Sequence, residues 1–515
     1  MKSRLTIFTG VLLAWAWVAS PMAAQTADDA LRFTERSPAT GPRMMGMAGV
    51  GIAGIDDYGA LQANPAGLGY FEASGFGGAL SMLSASDESR YQTSGTTTLG
   101  DGDVRSTRLG NLAYVYKLPT SRGAMVLATA YNQVNTFDRN LLFGGPNAGS
   151  SVSDSFLPFQ DEFEVVGSDG SFSPEFFHVI PELAYEGGAI EFLAENVGTN
   201  RPLFYQAVVP GTTIDQSGDV LEEGRMKELS LGGAWEAAQD VMVGLSANFS
   251  FGTYRFNSLY EEVDTRNENL PDDYIVVLSD GELRGFHRLA YENGFESDLT
   301  GFNIRGGISS SVLEGVRVGV TVETPTYYEI SEDYFRELET VFDEGGSLSS
   351  SQNGRFEYSL QTPWRLGGGG SWERGNLFVA GDVEYVDWSQ MEFGDGDGTF
   401  GDENRAIRSG LEPVWNARVG AEYRFGRLAA RAGFAYQPDP RKVEIQHQGE
   451  ATDRSKRYVS AGIGYRFSPQ FALDVGWMQE RFDDEYVPYR NVENPPVAEE
   501  SLSRNRFAVG MRVTL

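Results

Sequence analysis

The last ten residues alternate without a break. Phe507, Val509, Met511, Val513 and Leu515 share one parity, and Arg506, Ala508, Gly510, Arg512 and Thr514 share the other. Successive side chains of an extended strand point to opposite faces. This segment therefore has one greasy face and one small or charged face. A soluble sandwich would turn the greasy face to a core. A membrane barrel turns it to lipid and lines its lumen with the polar face. The pattern recurs in Trp415, Ala417, Val419, Ala421, Tyr423 and Phe425, which oppose Asn416, Arg418, Gly420, Glu422 and Arg424. It recurs again in 458–467 and 471–477, and less cleanly in 376–391, where Asp382 and Glu384 share the parity of Phe378 and Val386. Charges on an inner face are costly in a dry core unless paired and are expected in a wet lumen. The residues thus specify an all-β chain folded as a transmembrane antiparallel β-barrel.

Fourteen segments carry the strand pattern: 74–85, 106–118, 123–135, 226–236, 241–255, 299–312, 316–331, 355–372, 376–391, 413–425, 427–437, 456–467, 470–484 and 502–515. The connections between them alternate short and long. Six are short (119–122, 237–240, 313–315, 373–375, Gly426, and Ser468-Pro469), and the other seven are long and polar. Short turns at one end, long loops at the other and an even strand count are the habit of outer-membrane barrels. Both mature termini are then expected in the periplasm of a Gram-negative-type cell.

The N-terminus agrees with export. Lys2 and Arg4 precede an apolar run, 5–19, that ends in small residues, so a cleaved signal peptide is expected over 1–24. The run is short for an uncleaved anchor. Cleavage would take the net charge from −31 to −33 by removing Lys2 and Arg4. That acidic balance excludes a nucleic-acid partner. The acids crowd into long polar segments such as 261–264, 272–298 and 329–344, read as solvated loops, with divalent-cation binding or a salty medium as sharper alternatives. The chain has no Cys, which removes thiol catalysis and cysteine-bound metals. Its three histidines, His178, His287 and His447, fall in expected outer loops, and none sits in a Gly-x-Ser-x-Gly elbow. No enzyme activity, metal site or cofactor is expected. Gly367–Gly370 is a glycine run inside a strand, a place for close backbone approach or bending and not a phosphate cradle.

Two segments exceed a bare barrel. Residues 25–73 precede the first strand of a barrel spanning 74–515, and residues 136–225 form one long outer connection. Within the latter, 175–196 carries Phe176, Phe177, Leu183, Ile190, Phe192 and Leu193, a pattern that predicts one or two short helices. They are a candidate outer landing site for a greasy ligand, or simply cap the barrel mouth. The N-terminal segment holds Arg43-Met44-Met45-Gly46-Met47-Ala48-Gly49, Asp56-Asp57, and Asn64-Pro65-Ala66-Gly67-Leu68-Gly69. Pro65 fixes its own φ and biases Asn64 to extended backbone, and the Asn64 side chain can bond nearby backbone. Such a unit can block a lumen, or serve as a turn feeding the first strand.

This arrangement resembles the FadL/TodX family of outer-membrane channels for long-chain fatty acids and aromatic hydrocarbons. Thr324–Tyr328, Leu360–Arg365 and Asp382–Asp387 also look like that family. Two features depart from it: Leu515 stands where assembly signals usually end in an aromatic, and the second outer loop is long with helices of its own. The resemblance implies a fourteen-stranded barrel plugged by an N-terminal hatch that Asn64, Pro65, Ala66 and Gly67 close. It implies passive transport of a hydrophobic small molecule, which displaces part of the hatch and leaves sideways through a kink in the third strand. Gly123, Asn132 and Gln133 are the candidate kink positions. Outer-membrane lipid and, during biogenesis, the barrel-assembly machinery are the expected partners of a monomer. The competing role is a scaffold or cargo-binding barrel of a protein secretion system; a general porin fits less well because 25–73 looks like a plug.

Overall fold

Alternating segments this long satisfy their backbone only by pairing on both edges, and here they close on themselves. The computed structural model describes residues 26–168, 171–279, 281–396, 400–442 and 452–515; the expected signal peptide and His447 lie outside the described residues. Fourteen antiparallel wall strands follow in chain order. They are β1 (Gly75–Thr93), β2 (Thr96–Lys117), β3 (Met125–Thr136, resuming as Arg139–Asn147), β4 (Ile214–Ala238), β5 (Val241–Val263), β6 (Arg288–Leu313) and β7 (Val316–Glu323, resuming as Tyr327–Val341). Then come β8 (Ser347–Gln361, resuming as Arg365–Arg374), β9 (Leu377–Asp387), β10 (Pro413–Phe425), β11 (Leu428–Gln437), β12 (Lys456–Arg466), β13 (Phe471–Tyr486) and β14 (Val497–Thr514). The ring closes where β1 pairs with β2 on one edge and with β14 on the other, from Gly75↔Thr514 to Gln92↔Val497. The breaks in β7 and β8 fall side by side at Pro325 and Pro363, which have no N–H to give a ladder. Thr326 N donates to Thr362 Oγ1 across them at 2.8 Å.

The two faces divide as the alternation requires. Trp415, Val419, Tyr423, Phe425, Ile463, Phe507 and Met511 are exposed on the outside, where lipid covers them, whereas Asn416, Glu422, Arg431, Asp474, Glu480 and Arg506 are buried inside.

The strands run farther outward than the apolar alternation reaches. The segment 86–105, expected as a long polar loop, is a continuation of β1 and β2, paired from Ala85↔Val104 to Thr93↔Thr96 and turned by Ser94-Gly95 alone. Likewise 288–298 and 329–341, taken as solvated loop acids, belong to β6 and β7. Above the bilayer the outward face of a strand meets water and the inward face mixes apolar residues, such as Tyr91, Leu289 and Leu338, with polar ones, so no clean apolar parity marks it, while the ladder hydrogen bonds persist. The connection between β3 and β4 carries a hairpin (Phe163–Ser168 with Ser171–Phe176) and helix α2 (Val179–Glu186), and helix α3 (Gly401–Gly410) precedes β10. The hairpin and α2 bury an apolar core with the neighbouring loop and wall strands around Leu183, Ile190, Phe204, Tyr274, Phe286 and Leu338, whereas Ile407 of α3 packs in a separate cluster.

Candidate functional site

Residues 26–73 sit inside the barrel, against glycines on the inner parity of the wall. A Cβ at Gly319 would lie 2.0 Å from Ile52 O, at Gly244 2.3 Å from Ala66 N, at Gly476 2.4 Å from Pro42 O, and at Gly420 2.5 Å from Met47 O. Backbone therefore touches backbone, which a side chain would prevent. In the Gly367–Gly370 run, Gly367 and Gly369 face Ile52, whereas Gly368 has nothing within 4 Å of its would-be Cβ. Met44, Met45, Met47 and Val50 pack on Phe378, Ala380, Tyr458 and Met478 of the inner wall.

Polar contacts fix the hatch where packing leaves it free. Asn64 is fully buried and caps the 3-10 turn Pro65–Tyr70 by accepting from Ala66 N at 3.0 Å. Its Nδ2 points to three carbonyls: Ile52 O at 2.7 Å within the hatch, Ile308 O at 3.2 Å on β6 and Val320 O at 3.3 Å on β7. One amide thus joins both arms of the hatch to two wall strands. Asp382 accepts from Gly51 N at 2.6 Å and Ile52 N at 3.1 Å. Arg43 reaches Glu422 at 3.1 Å, and Arg305 donates to Leu61 O at 2.6 Å.

Ahead of this plug lies helix α1 (Ala27–Thr34), started by a capping box in which Thr26 Oγ1 accepts from Asp29 N and Thr26 N donates to Asp29 Oδ2. Its apolar side, Ala30, Leu31 and Phe33, is buried in a collar that includes Phe137, Tyr254, Tyr328, Tyr358, Trp388 and Phe393. Phe33 meets Phe137 and Tyr254 edge-on, at ring-centroid separations of 6.3 and 5.6 Å. The sequence reading did not pick out this helix, although Thr26-x-x-Asp29 ahead of apolar residues is a readable start signal.

Beside α1 is a cavity of about 300 Å³ whose lining is mostly charged. Ten basic side chains face seven carboxylates there, in a chain whose acids outnumber its bases 72 to 41. Arg506 and Arg504 share Glu480 at 3.8 and 4.0 Å, and each keeps a buried Nε–H with no acceptor among the described residues. The inner parity of β14 carried Arg506 in the sequence pattern; that the arginines converge could not be read without the ring closed.

The candidate kink residues separate. Gly123 lies in the turn before β3 with φ +71. Asn132 and Gln133 lie at the end of a ladder: β2 and β3 pair from Lys117↔Val126 only as far as Asn111↔Asn132. The register of β3 against β4 slips between Gln133 and Asn135. The carbonyl of Val134, inside the slip, accepts from Ser37 N of the hatch at 2.8 Å. Beyond it β3 bends inward across β1 and β2. A Cβ at Gly100 or Gly102 would lie 2.0 Å from Leu142 O or Asn140 O. Arg139 holds the bent stretch, pairing with Glu222 at 2.5 Å, with Asp87 at 3.5 Å and with Glu500. A small void lined by Ser81, Gly110, Gln133 and Asn135 adjoins the slip and shares Asn135, Thr136 and Arg506 with the charged cavity.

Of the candidate outer-loop residues, Leu183, Ile190 and Phe192 are buried together, Phe176 and Leu193 are half-buried, and Phe177 is half exposed. Close by, burial pushes the Glu191 carboxyl up to about 7.

A plugged outer-membrane β-barrel with a charged lumen and an interrupted third strand is the architecture of a hydrophobic-solute channel. The chain belongs to the outer membrane protein transport protein family (OMPP1/FadL/TodX), whose model matches residues 221–502. That is a family of transport channels and not of enzymes. In fold the chain is similar to the toluene transporter TodX of P. putida, with a TM-score of 0.54 and 13% identity over 93% of this chain and 99% of that one. It is also similar to a Pseudomonas aeruginosa FadL homologue, with a TM-score of 0.51 and 10% identity over 92% and 98%. No curated protein matches it in sequence.

Proposed function

We propose that this channel admits amphiphilic acids, long-chain fatty acids foremost, in preference to neutral aromatic hydrocarbons. The observation that carries the reading is the pairing of an apolar collar with an arginine-lined cavity, both reached by α1. An acyl tail replaces Leu31 and Phe33 in the collar, and a carboxylate accepts from Arg504 and Arg506, whose Nε–H groups lack acceptors. Charge-assisted bonds of this kind are about twice as strong as neutral ones, and each buried CH₂ adds about 0.8 kcal/mol. A neutral ring gains only the second term.

The route follows from the same elements. The solute first meets exposed aromatics such as Phe177 and Phe159 on the outer connection. It displaces α1, passes Arg506 and Asn135, and leaves through the wall where the β2–β3 ladder stops at Asn132. Asn64, Pro65, Ala66 and Gly67 keep the remainder of the hatch seated, so leakage to water stays low. A sideways exit keeps the tail out of water, where it would lose the same energy per CH₂. Both termini are then periplasmic. A lumen filled by the chain itself also suits a secretion scaffold, but a scaffold has no use for unmet arginine donors beside a greasy collar.

The test is to purify the full chain from outer membranes in mild detergent and identify co-purifying small molecules by mass spectrometry, with an unrelated barrel as control. Enriched free fatty acids, lost in R504Q/R506Q, support the reading. Equal enrichment of neutral hydrocarbons in both chains removes the acid preference, and a stoichiometric protein in place of any solute favours the scaffold.

A further inference from the structure

At the short-turn end of the barrel, away from the solute path, a second cavity of about 120 Å³ opens between the hatch and strands β10 to β14. Six guanidiniums line it: Arg43, Arg424, Arg427, Arg431, Arg466 and Arg512. Only two carboxylates, Asp56 and Glu422, share the lining. Glu422 serves three of the arginines, Arg43 at 3.1 Å, Arg424 at 2.9 Å and Arg431 at 2.6 Å. From just outside, Asp474 meets Arg431 and Arg512, each at 2.7 Å, and Glu373 meets Arg424 at 2.7 Å. Six guanidiniums against four carboxylates leave a formal excess of two positive charges. The excess is localised: Arg427 and Arg466 have no ion pair among the described residues, and Arg466 N bonds Arg427 O at 2.8 Å, which sets the two side by side on adjacent turns. Arg431 is buried, and its Nη1 finds no aligned acceptor even though Asp474 Oδ1 is 2.7 Å away.

An arginine cluster with two charges unmet is built to take an oxyanion, and the planar fork of guanidinium suits a phosphate. Its surroundings select the source. Phe425 and Phe467 are more than half exposed at the same level, with Tyr423 and Tyr465 beside them, and aromatics of this kind mark the membrane–water interface. We propose that this cavity binds the phosphate of an anionic phospholipid of the leaflet at the short-turn end, one lipid per chain. The lipid bridges the wall to the hatch through Arg43.

The test uses the full chain in nanodiscs containing equimolar phosphatidylglycerol and phosphatidylcholine, released in native mass spectrometry. Expected is one retained phosphatidylglycerol, favoured by about tenfold or more over phosphatidylcholine, as a charge-assisted contact warrants. R427Q/R466Q, which alters only an exposed turn residue and the exposed end of β12, is expected to lose that preference and keep its heat resistance. In parallel, inorganic phosphate is titrated against melting of the detergent-solubilised chain, with chloride at matched ionic strength as reference. A phosphate shift lost in R427Q/R466Q, without any lipid preference, keeps the anion site but overturns the lipid as its occupant. Equal retention of both lipids in wild type and variant, with no phosphate shift, overturns the site.

Discussion

Replacing Asn64 by alanine is expected to loosen the hatch while leaving the barrel folded. The side chain is fully buried, and its amide serves Ile52 O at 2.7 Å and accepts from Ala66 N at 3.0 Å, besides the longer bonds to Ile308 O and Val320 O. A buried group left without its partner costs about 1–3 kcal/mol. The β6 and β7 carbonyls sit in strands held by long ladders, so the loss falls mainly on Ile52 O and Ala66 N. Two such losses come to about 2–6 kcal/mol, which raises the open population of the hatch by roughly 30- to 20,000-fold. Amide exchange over residues 51–70, read by mass spectrometry on the detergent-solubilised chain, reports that population. N64D is the companion variant: it retains the acceptor for Ala66 N but sets a buried carboxylate against the carbonyls of Ile52, Ile308 and Val320, so an effect at least as large as that of N64A is expected. Exchange over 51–70 that changes less than about threefold in N64A would refute the clamp. Equal acceleration throughout the wall strands would show that Asn64 supports the barrel as a whole.

Three further outcomes follow. G319A, whose Cβ would lie 2.0 Å from Ile52 O, is expected to expel the hatch or lower heat resistance, whereas G368A, with open space beyond it, is expected to be neutral; gel heat-modifiability separates them. R139Q leaves Glu222, Glu500 and Asp87 facing one another and is expected to release residues 139–147, at a cost of about 3–5 kcal/mol, seen as faster exchange confined to that stretch. Burial raises Glu191 to about 7, so its folded form holds a proton that the unfolded form has released. The stability it lends is present below the ordinary carboxyl range and is lost as pH rises through about 7. Limited proteolysis of the outer connection is therefore expected to quicken between about pH 5 and 7 in the wild type and to keep only part of that dependence in E191Q, because burial also raises Asp154 and Glu182 in the same connection.

The strand order and the inward parity were legible because lipid imposes a period of two on Phe507, Val509 and Met511, and on Trp415 and Val419. The outer halves of β1, β2, β6 and β7 were not, because lipid does not face them and their inward apolar residues, such as Tyr91, Leu289 and Leu338, share a parity with polar ones such as Asp87, Asn293 and Glu332. The Asn64-Pro65 element was visible as a rigid unit, but its reach to Ile308 O and Val320 O depends on strands some 240 residues distant. The arginines of the two clusters are scattered by ones and twos along six strands, the turns and loops between strands, and the hatch. They converge only when the ring closes, so no local window could disclose them. Of the outer apolar residues 176–193 expected to form helices only Leu183 lies in one, Phe176 ends the hairpin and Ile190 and Phe192 share a short strand; most of them fill the core of the outer connection itself.

The most direct test of the account asks whether solute passage requires the hatch to leave the third strand. The chain has no cysteine, so S37C/V134C gives a clean pair at positions whose backbones already bond at 2.8 Å. Uptake of labelled oleate would be measured in cells without a channel of their own. The account predicts uptake above the empty vector for wild type, loss of uptake in oxidised S37C/V134C, and recovery on reduction. Undiminished uptake with the disulfide formed would contradict it.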